Sequence, residues 1–204
     1  MWRYNAGIYV DESLEKYGIF AFTTTAVLGD MKDASVMRKF LLSVGIENFV
    51  CGEQTHSTNF CIVSKTDSNK RFCNTDGYIT TDKNVALCVF TADCMPVFVY
   101  DRDNAVIGVF HIGRVAAEKL FLADVLEAFY ERYGSLAKNI SISVGPHIKK
   151  CCYEIDLFSM LKEQAFLKGI KDIRSFRLCT HCEKFFSYRK NKTAARMVSC
   201  MIMR

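Results

Sequence analysis

Two prolines and eleven glycines in 204 residues leave little material for linkers or a disordered tail, and no internal repeat or low-complexity segment interrupts the chain. A single domain over residues 1–204 is therefore expected, long enough to bury on the order of two-thirds of its unfolded surface. No stretch reaches the roughly 18 uncharged apolar residues of a membrane helix. The opening residues, MWRYNAGIYVDESLEKYG, carry charges throughout and offer no apolar signal core. A cytoplasmic, reduced protein with no membrane partner is the expectation, so the ten cysteines read as buried hydrophobes with a minority as ligands or nucleophiles. The net charge of +5 lacks the concentrated basic stripe of a nucleic-acid binder; it suits a solvated surface or attraction of small anions such as phosphate. Glycine-rich phosphate loops, a G-x-S-x-G elbow and a dinucleotide fingerprint are all missing.

What is present centres on Thr91–Gly113, TADCMPVFVYDRDNAVIGVFHIG. Two apolar runs, Pro96–Tyr100 and Ala105–Phe110, flank Asp101-Arg102-Asp103-Asn104, which is turn chemistry between strands and predicts a β-hairpin. A symmetric turn over that quartet sets Cys94 across from His111, where directly opposed Cβ atoms lie roughly 4.5–5.5 Å apart. Pro96 and the register decide whether the pair meets.

Elsewhere the pattern predicts strands over Ile8–Val10, Ile19–Thr23, Asn48–Cys51, Phe60–Ser64, Gly77–Thr81, Val85–Thr91, Ile140–Val144, Phe176–Leu178 and Met197–Met203. Helices are expected from an Asp30 cap to Gly45, over Val115–Tyr133 with Gly134 as stop, and over Glu154–Lys168 with Gly169 as stop. Lys65–Asn74 reads as a surface loop. Helices interspersed irregularly among strands predict an α+β fold with a mixed sheet.

Catalytic zinc uses three protein ligands and one open position, and His56, Cys94 and His111 would supply a His₂Cys set at loop and strand ends. Their spacings of 38 and 17 residues match no compact ligand motif, and a buried cysteine beside two hydrogen-bonded histidines is the alternative. Cys179-Thr-His-Cys182 is a C-x-x-C whose nearest partners, Cys151 and Cys152, are adjacent and awkward for tetrahedral zinc, so a packing role is expected. Arg189, Lys190, Lys192 and Arg196 read as a solvated face, from which Arg189 is the candidate to turn inward toward an anion.

TDGYITTDKNVALCVFTADCMPVFVYD, HIG, VGPHIKKCCYEID and LCTHCEKFFSYRKNKTAARMVS occur in the order of the signatures of the YfiH-type laccase-domain family, which the chain resembles over about residues 48–204. The resemblance implies a YfiH-like sandwich of mixed sheet with packed helices. It also implies a metal site from the Q-x-H histidine, the TADC cysteine and the HAG histidine, here His56, Cys94 and His111. Members are variously described as polyphenol oxidases, as zinc-dependent purine nucleoside enzymes performing phosphorolysis and adenosine deamination, and as amidases editing peptidoglycan precursors. Two departures bear on substrate binding: HAGWRG is here His111-Ile112-Gly113-Arg114-Val115-Ala116, without the tryptophan, and FTTTAVLGD replaces a TTR-x-GG segment.

The leading expectation is a zinc enzyme acting on purine nucleosides and phosphate, with Arg189 and Arg114 cradling the anion and Asp93 orienting a ligand or serving as base. A metal-free hydrolase or amidase with Cys94 as nucleophile and His111 as base is the alternative. Copper in place of zinc would suit a polyphenol oxidase, for which four histidines are a thin supply. A non-catalytic paralogue with an altered HIGR loop is the fourth reading.

Overall fold

The computed structural model describes residues 1–182 and 184–204. Among the described residues, thirteen strands form two sheets. The first runs β1 (Trp2–Asn5), β2 (Ile8–Asp11), β3 (Ile19–Thr24), β13 (Met197–Met203), β8 (Ala86–Thr91), β4 (Phe49–Gly52) and β6 (Arg71–Phe72). The second runs β12 (Asp172–Ser175), β11 (Ile140–Val144), β9 (Met95–Asp101), β10 (Val106–Ile112), β7 (Gly77–Thr80) and β5 (Phe60–Ile62). Both are mixed: β4 lies parallel to β8 and β6, while β11–β12 and β5–β7 are the parallel pairs of the second sheet.

The sheets pack face to face. Leu87, Val89 and Met201 of one meet Tyr78, Phe98, Ile107 and Val109 of the other in a shared core. Alternate residues of the second sheet, Val97, Val99, Phe110 and Ile142, point the other way, onto α3 (Arg114–Glu118), α4 (Phe121–Tyr133) and α5 (Leu157–Leu167). With both faces covered, β9 and β10 are buried at every position, which is why they appear in sequence as continuous apolar runs rather than alternating ones. The outer face of the first sheet is covered by α2 (Ala34–Ser43) through Met37 and Leu41. Two single-turn helices, α1 (Glu12–Glu15) and α6 (Tyr188–Asn191), complete the described chain. The α+β sandwich with packed helices is the fold expected.

Five local expectations are corrected. The cap of α2 is Asp33, whose Oδ1 accepts from the N–H groups of Ser35 (2.8 Å) and Val36 (3.2 Å); Asp30 instead accepts from Lys32 and Arg196, tying the loop to the start of β13. The helix expected over Val115–Tyr133 is two helices, broken where Leu120 takes φ +60°. At the break the Ala117 carbonyl accepts from the Leu120 N–H (3.2 Å), and Gln164 Nε2 of α5 donates to the same oxygen (2.9 Å), tying α3 to α5. The helix expected from Glu154 begins at Leu157, capped by Asp156. The strand expected over Phe176–Leu178 lies at Asp172–Ser175, paired in parallel with β11; Phe176 packs with Tyr9 and Phe185 instead. The polar segment Lys65–Asn74 also holds β6.

Candidate metal centre

The hairpin forms, with its turn one residue later than the Asp101–Asn104 quartet. Asp101 ends β9, its Oδ1 accepting from the N–H of Asp103 (3.0 Å), and Val106 faces Asp101 in the ladder. His111 consequently pairs with Pro96 and Ile112 with Met95, so Cys94 lies just beyond the ladder and not opposite His111. The shift moves the register by two positions, which preserves the face, and Cys94 still reaches His111 from off the strand end.

Three ligand atoms, one each from His56, Cys94 and His111, all lie within 4.8 Å of one another. They come from three chain segments, and a residue invisible to the motif reading holds two of them. Asp76, immediately before β7, is fully buried. Its Oδ1 accepts from His111 Nδ1 (2.7 Å) and from the backbone N–H of His56 (3.2 Å). Its Oδ2 accepts from the Ser57 hydroxyl (2.7 Å) and from the N–H groups of Ser57 (2.8 Å) and Thr55 (3.1 Å). The bond to Nδ1 fixes the His111 tautomer and leaves Nε2 free as a ligand. The loop bonds hold His56 at φ +59°, a backbone state that L residues seldom adopt. Gly113 completes the fit, since a Cβ there would lie 2.9 Å from Cys94 Sγ and 3.3 Å from His56 Cδ2.

Burial pushes the Cys94 thiol up, but the His111 and His56 imidazoles beside it win and bring it down to about 6. Burial pulls His111 down, and the Cys94 sulfur and Asp76 carboxylate reverse that, raising it to about 9. Burial raises the Asp76 carboxyl, and its bonds from His111 and Ser57 outweigh this to hold it below the usual carboxylate range. A thiolate held between imidazoles is what a soft-to-borderline metal or a nucleophilic mechanism requires.

The trio opens on a cavity of about 640 Å³. Lys32, Arg71, Arg114, Arg189 and Arg196 line it, against the carboxylates of Glu53 and Asp93, so its walls are cationic. Phe90, Tyr153 and Tyr188 supply flat apolar surface. Arg189 and Arg114, both expected at the site, are there: the Arg189 guanidinium stacks on Tyr153, 4.2 Å from the ring centroid, and Arg114 pairs with Glu118 (2.7 Å). Of the basic cluster, Arg196 also lines the cavity, while Lys190 donates to the His181 carbonyl and Lys192 lies over Tyr188. Asp93 has both carboxylate oxygens occupied, by the Thr180 hydroxyl (2.7 Å) and the Arg189 N–H (2.8 Å), and its carbonyl accepts from Ile148 (2.9 Å). At φ +98° it ties the Cys94 turn to the two segments that wall the cavity.

Sequence reasoning missed Asp76, Lys32, Arg71 and Gln54. The last pairs with the Phe90 backbone like an added strand residue, its Nε2 donating to the carbonyl (2.7 Å) and its Oε1 accepting from the N–H (2.6 Å). A lone aspartate before a glycine in TDGY was the available signal for Asp76. The C-x-x-C is not one unit: Cys182 packs toward Phe176 and Phe185, whereas Cys179 joins Cys151 and Cys152.

A family model described as multi-copper polyphenol oxidoreductase laccase matches residues 28–160 and 154–204. A purine nucleoside phosphorylase of Clostridium acetobutylicum is 30% identical over 179 residues, covering 74% of this chain and 75% of its own length. One of Campylobacter jejuni is 31% identical over 182 residues, 78% of this chain and 79% of its own. Among solved structures, the YfiH protein of Bacillus licheniformis superposes with a TM-score of 0.91 at 21% identity, covering 100% of this chain and 99% of its own. YlmD of Geobacillus stearothermophilus gives the same TM-score and identity over 99% and 98%. These structural likenesses show the fold. No helix among the described residues is long and apolar enough to cross a membrane.

Proposed function

The chain belongs to the multi-copper polyphenol oxidoreductase laccase family, and within it we propose a zinc-dependent purine nucleoside phosphorylase that also deaminates adenosine. The observation that carries this reading is the pairing of a His₂Cys donor set with a cationic cavity. Two imidazoles and a thiolate fit zinc; His56, Cys94 and His111 would hold it, and it would supply Lewis-acid activation of water near neutral pH. Copper would also accept these donors, so metal analysis is part of the test.

The chain's own residues provide the rest. Asp76 keeps His111 in the tautomer that presents Nε2. Arg189, Arg114, Arg196 and Lys32 offer charge-assisted contacts to phosphate, and Phe90 and Tyr188 offer surfaces for a purine. Lys32 and Arg196 line the cavity, and Arg114, which also lines it, stands at the sequence position of the absent tryptophan. Asp93 acts by positioning: it anchors the Arg189 backbone and Thr180.

Zinc-loaded protein incubated with adenosine, inosine or guanosine should release the free base only when phosphate is present, and should convert adenosine to inosine without it. Failure on all three nucleosides with zinc bound and phosphate supplied overturns the reading. The metal-free hydrolase reading rests on one specific observation, the Cys94–His111–Asp76 arrangement with its depressed thiol and raised imidazole. It predicts covalent capture of an amide or ester carbonyl on Cys94 in chelator-treated protein.

A further inference from the structure

Away from the cavity mouth, a second group of three donors lies within 4.8 Å: the thiols of Cys151, Cys152 and Cys179. We propose that these three cysteines form a separate, all-sulfur site for a soft d¹⁰ cation, best matched by monovalent copper.

The cluster is assembled by backbone. His147 and Cys179 form a parallel bridge, and the Thr180 N–H donates to the His147 carbonyl (3.2 Å). The Lys149 N–H donates to Cys179 Sγ (3.3 Å), and the Cys152 N–H closes a turn onto the Lys149 carbonyl (2.9 Å). That turn carries Cys151 and Cys152 onto Cys179, with the Cys151 and Cys152 sulfurs 3.5 Å apart. All three are free thiols, and Cys151 is exposed, which gives an ion a path in.

The donor count selects the ion. Structural zinc closes its shell with four ligands, and no fourth donor joins this group among the described residues. The neighbouring His147 is committed: Nδ1 donates to the Gly145 carbonyl (2.8 Å) and Nε2 accepts from Lys149 Nζ (3.1 Å). Cys182 packs with the aromatic cluster instead. Three thiolates complete the shell of monovalent copper, a soft ion that sulfur ligands favour. Binding replaces the thiol protons, which pass to solvent, and transfers no electron. Cys152 precedes Tyr153 of the cavity wall, and Cys179 precedes Thr180, which bonds Asp93, so an ion here pins both segments behind the first site.

The test is anaerobic titration with copper(I) delivered from a chromophoric chelator. In a Cys94→Ala background, one tight equivalent with thiolate-to-copper ultraviolet absorption is expected. Adding Cys151→Ser, Cys152→Ser and Cys179→Ser should abolish it. On the otherwise unchanged chain, the triple serine variant should still take up zinc at the first site, which reports that it folds. Should it not fold, Cys151→Ser and Cys179→Ser singly should each weaken copper(I) at least about tenfold. Unchanged copper(I) uptake in these variants overturns the proposal, as does a thiol titration showing that two of the three are already joined as a disulfide. Failure of the unchanged chain to bind zinc at the first site or to turn over nucleosides bears on the proposed function and leaves this thiol site standing.

Discussion

Two corners of this molecule each gather three ligand atoms within 4.8 Å, and they differ in what stands behind the donors. At the end of the β9–β10 hairpin, a buried carboxylate fixes the loop of one histidine and the ring of another, and the space between donors opens on a cationic cavity. At the Cys151–Cys152–Cys179 corner no carboxylate takes that part among the bonds described; one backbone turn and one strand bridge bring the sulfurs together. The first arrangement aims its ligands and couples them to a cationic cavity. The second supplies softness without direction, which suits holding an ion and not turning over a substrate.

The largest expected effect breaks the first corner outright. Cys94→Ala or His111→Ala should remove its metal and reduce nucleoside turnover to background; elemental analysis showing full retention in both variants would mean the donors are misassigned. Next comes the support behind it. Asp76→Asn keeps the size of the side chain and should weaken first-site metal affinity about 10–100-fold, leaving copper(I) uptake at the thiol corner unaltered in the same titration.

Arg189→Ala tests the cavity and not the metal. A charge-assisted contact is worth about 1.5–3 kcal/mol, but this side chain is 48% exposed and screened, so the low end applies. The phosphate KM should rise about tenfold, with zinc content unchanged and adenosine deamination less affected. Equal losses in both reactions would remove Arg189 from phosphate binding.

pH separates the two corners in chelator-treated protein. The Cys94 thiol is lowered to about 6, so its thiolate grows in as pH rises through that value. Cys152 is raised to about 11 by its bond with Cys151 and by burial. Alkylation mapped by mass spectrometry at pH 7.5 should therefore mark Cys94 before Cys152, and the reverse order would contradict the electrostatics. The smallest effect is expected from Cys182→Ser, which should leave the metal content of both corners unchanged.

Much of this protein was legible in the chain. Continuous apolar runs flanking a polar turn specify a hairpin buried on both faces, because only apolar side chains can cover both sides of a strand at once. His56, Cys94 and His111 stood out as scarce histidines and a cysteine at loop and strand ends, and Arg189 as the member of a basic cluster that follows Tyr188. Asp76 did not, since nothing local distinguishes a buried organising carboxylate from a turn residue; five of its bonds reach other segments, from 19 to 35 residues away. Leu120 shows no propensity for φ +60°, and its break lets α3 and α4 each turn a side into the same core. The grouping of Cys151 and Cys152 with Cys179, rather than of Cys179 with Cys182, was also decided in three dimensions. Side-chain type and period are written residue by residue, so sequence determined most of the strands, the hairpin and the candidate donors. Which distant donors share a space depends on how two sheets stack, and only the tertiary structure decided that.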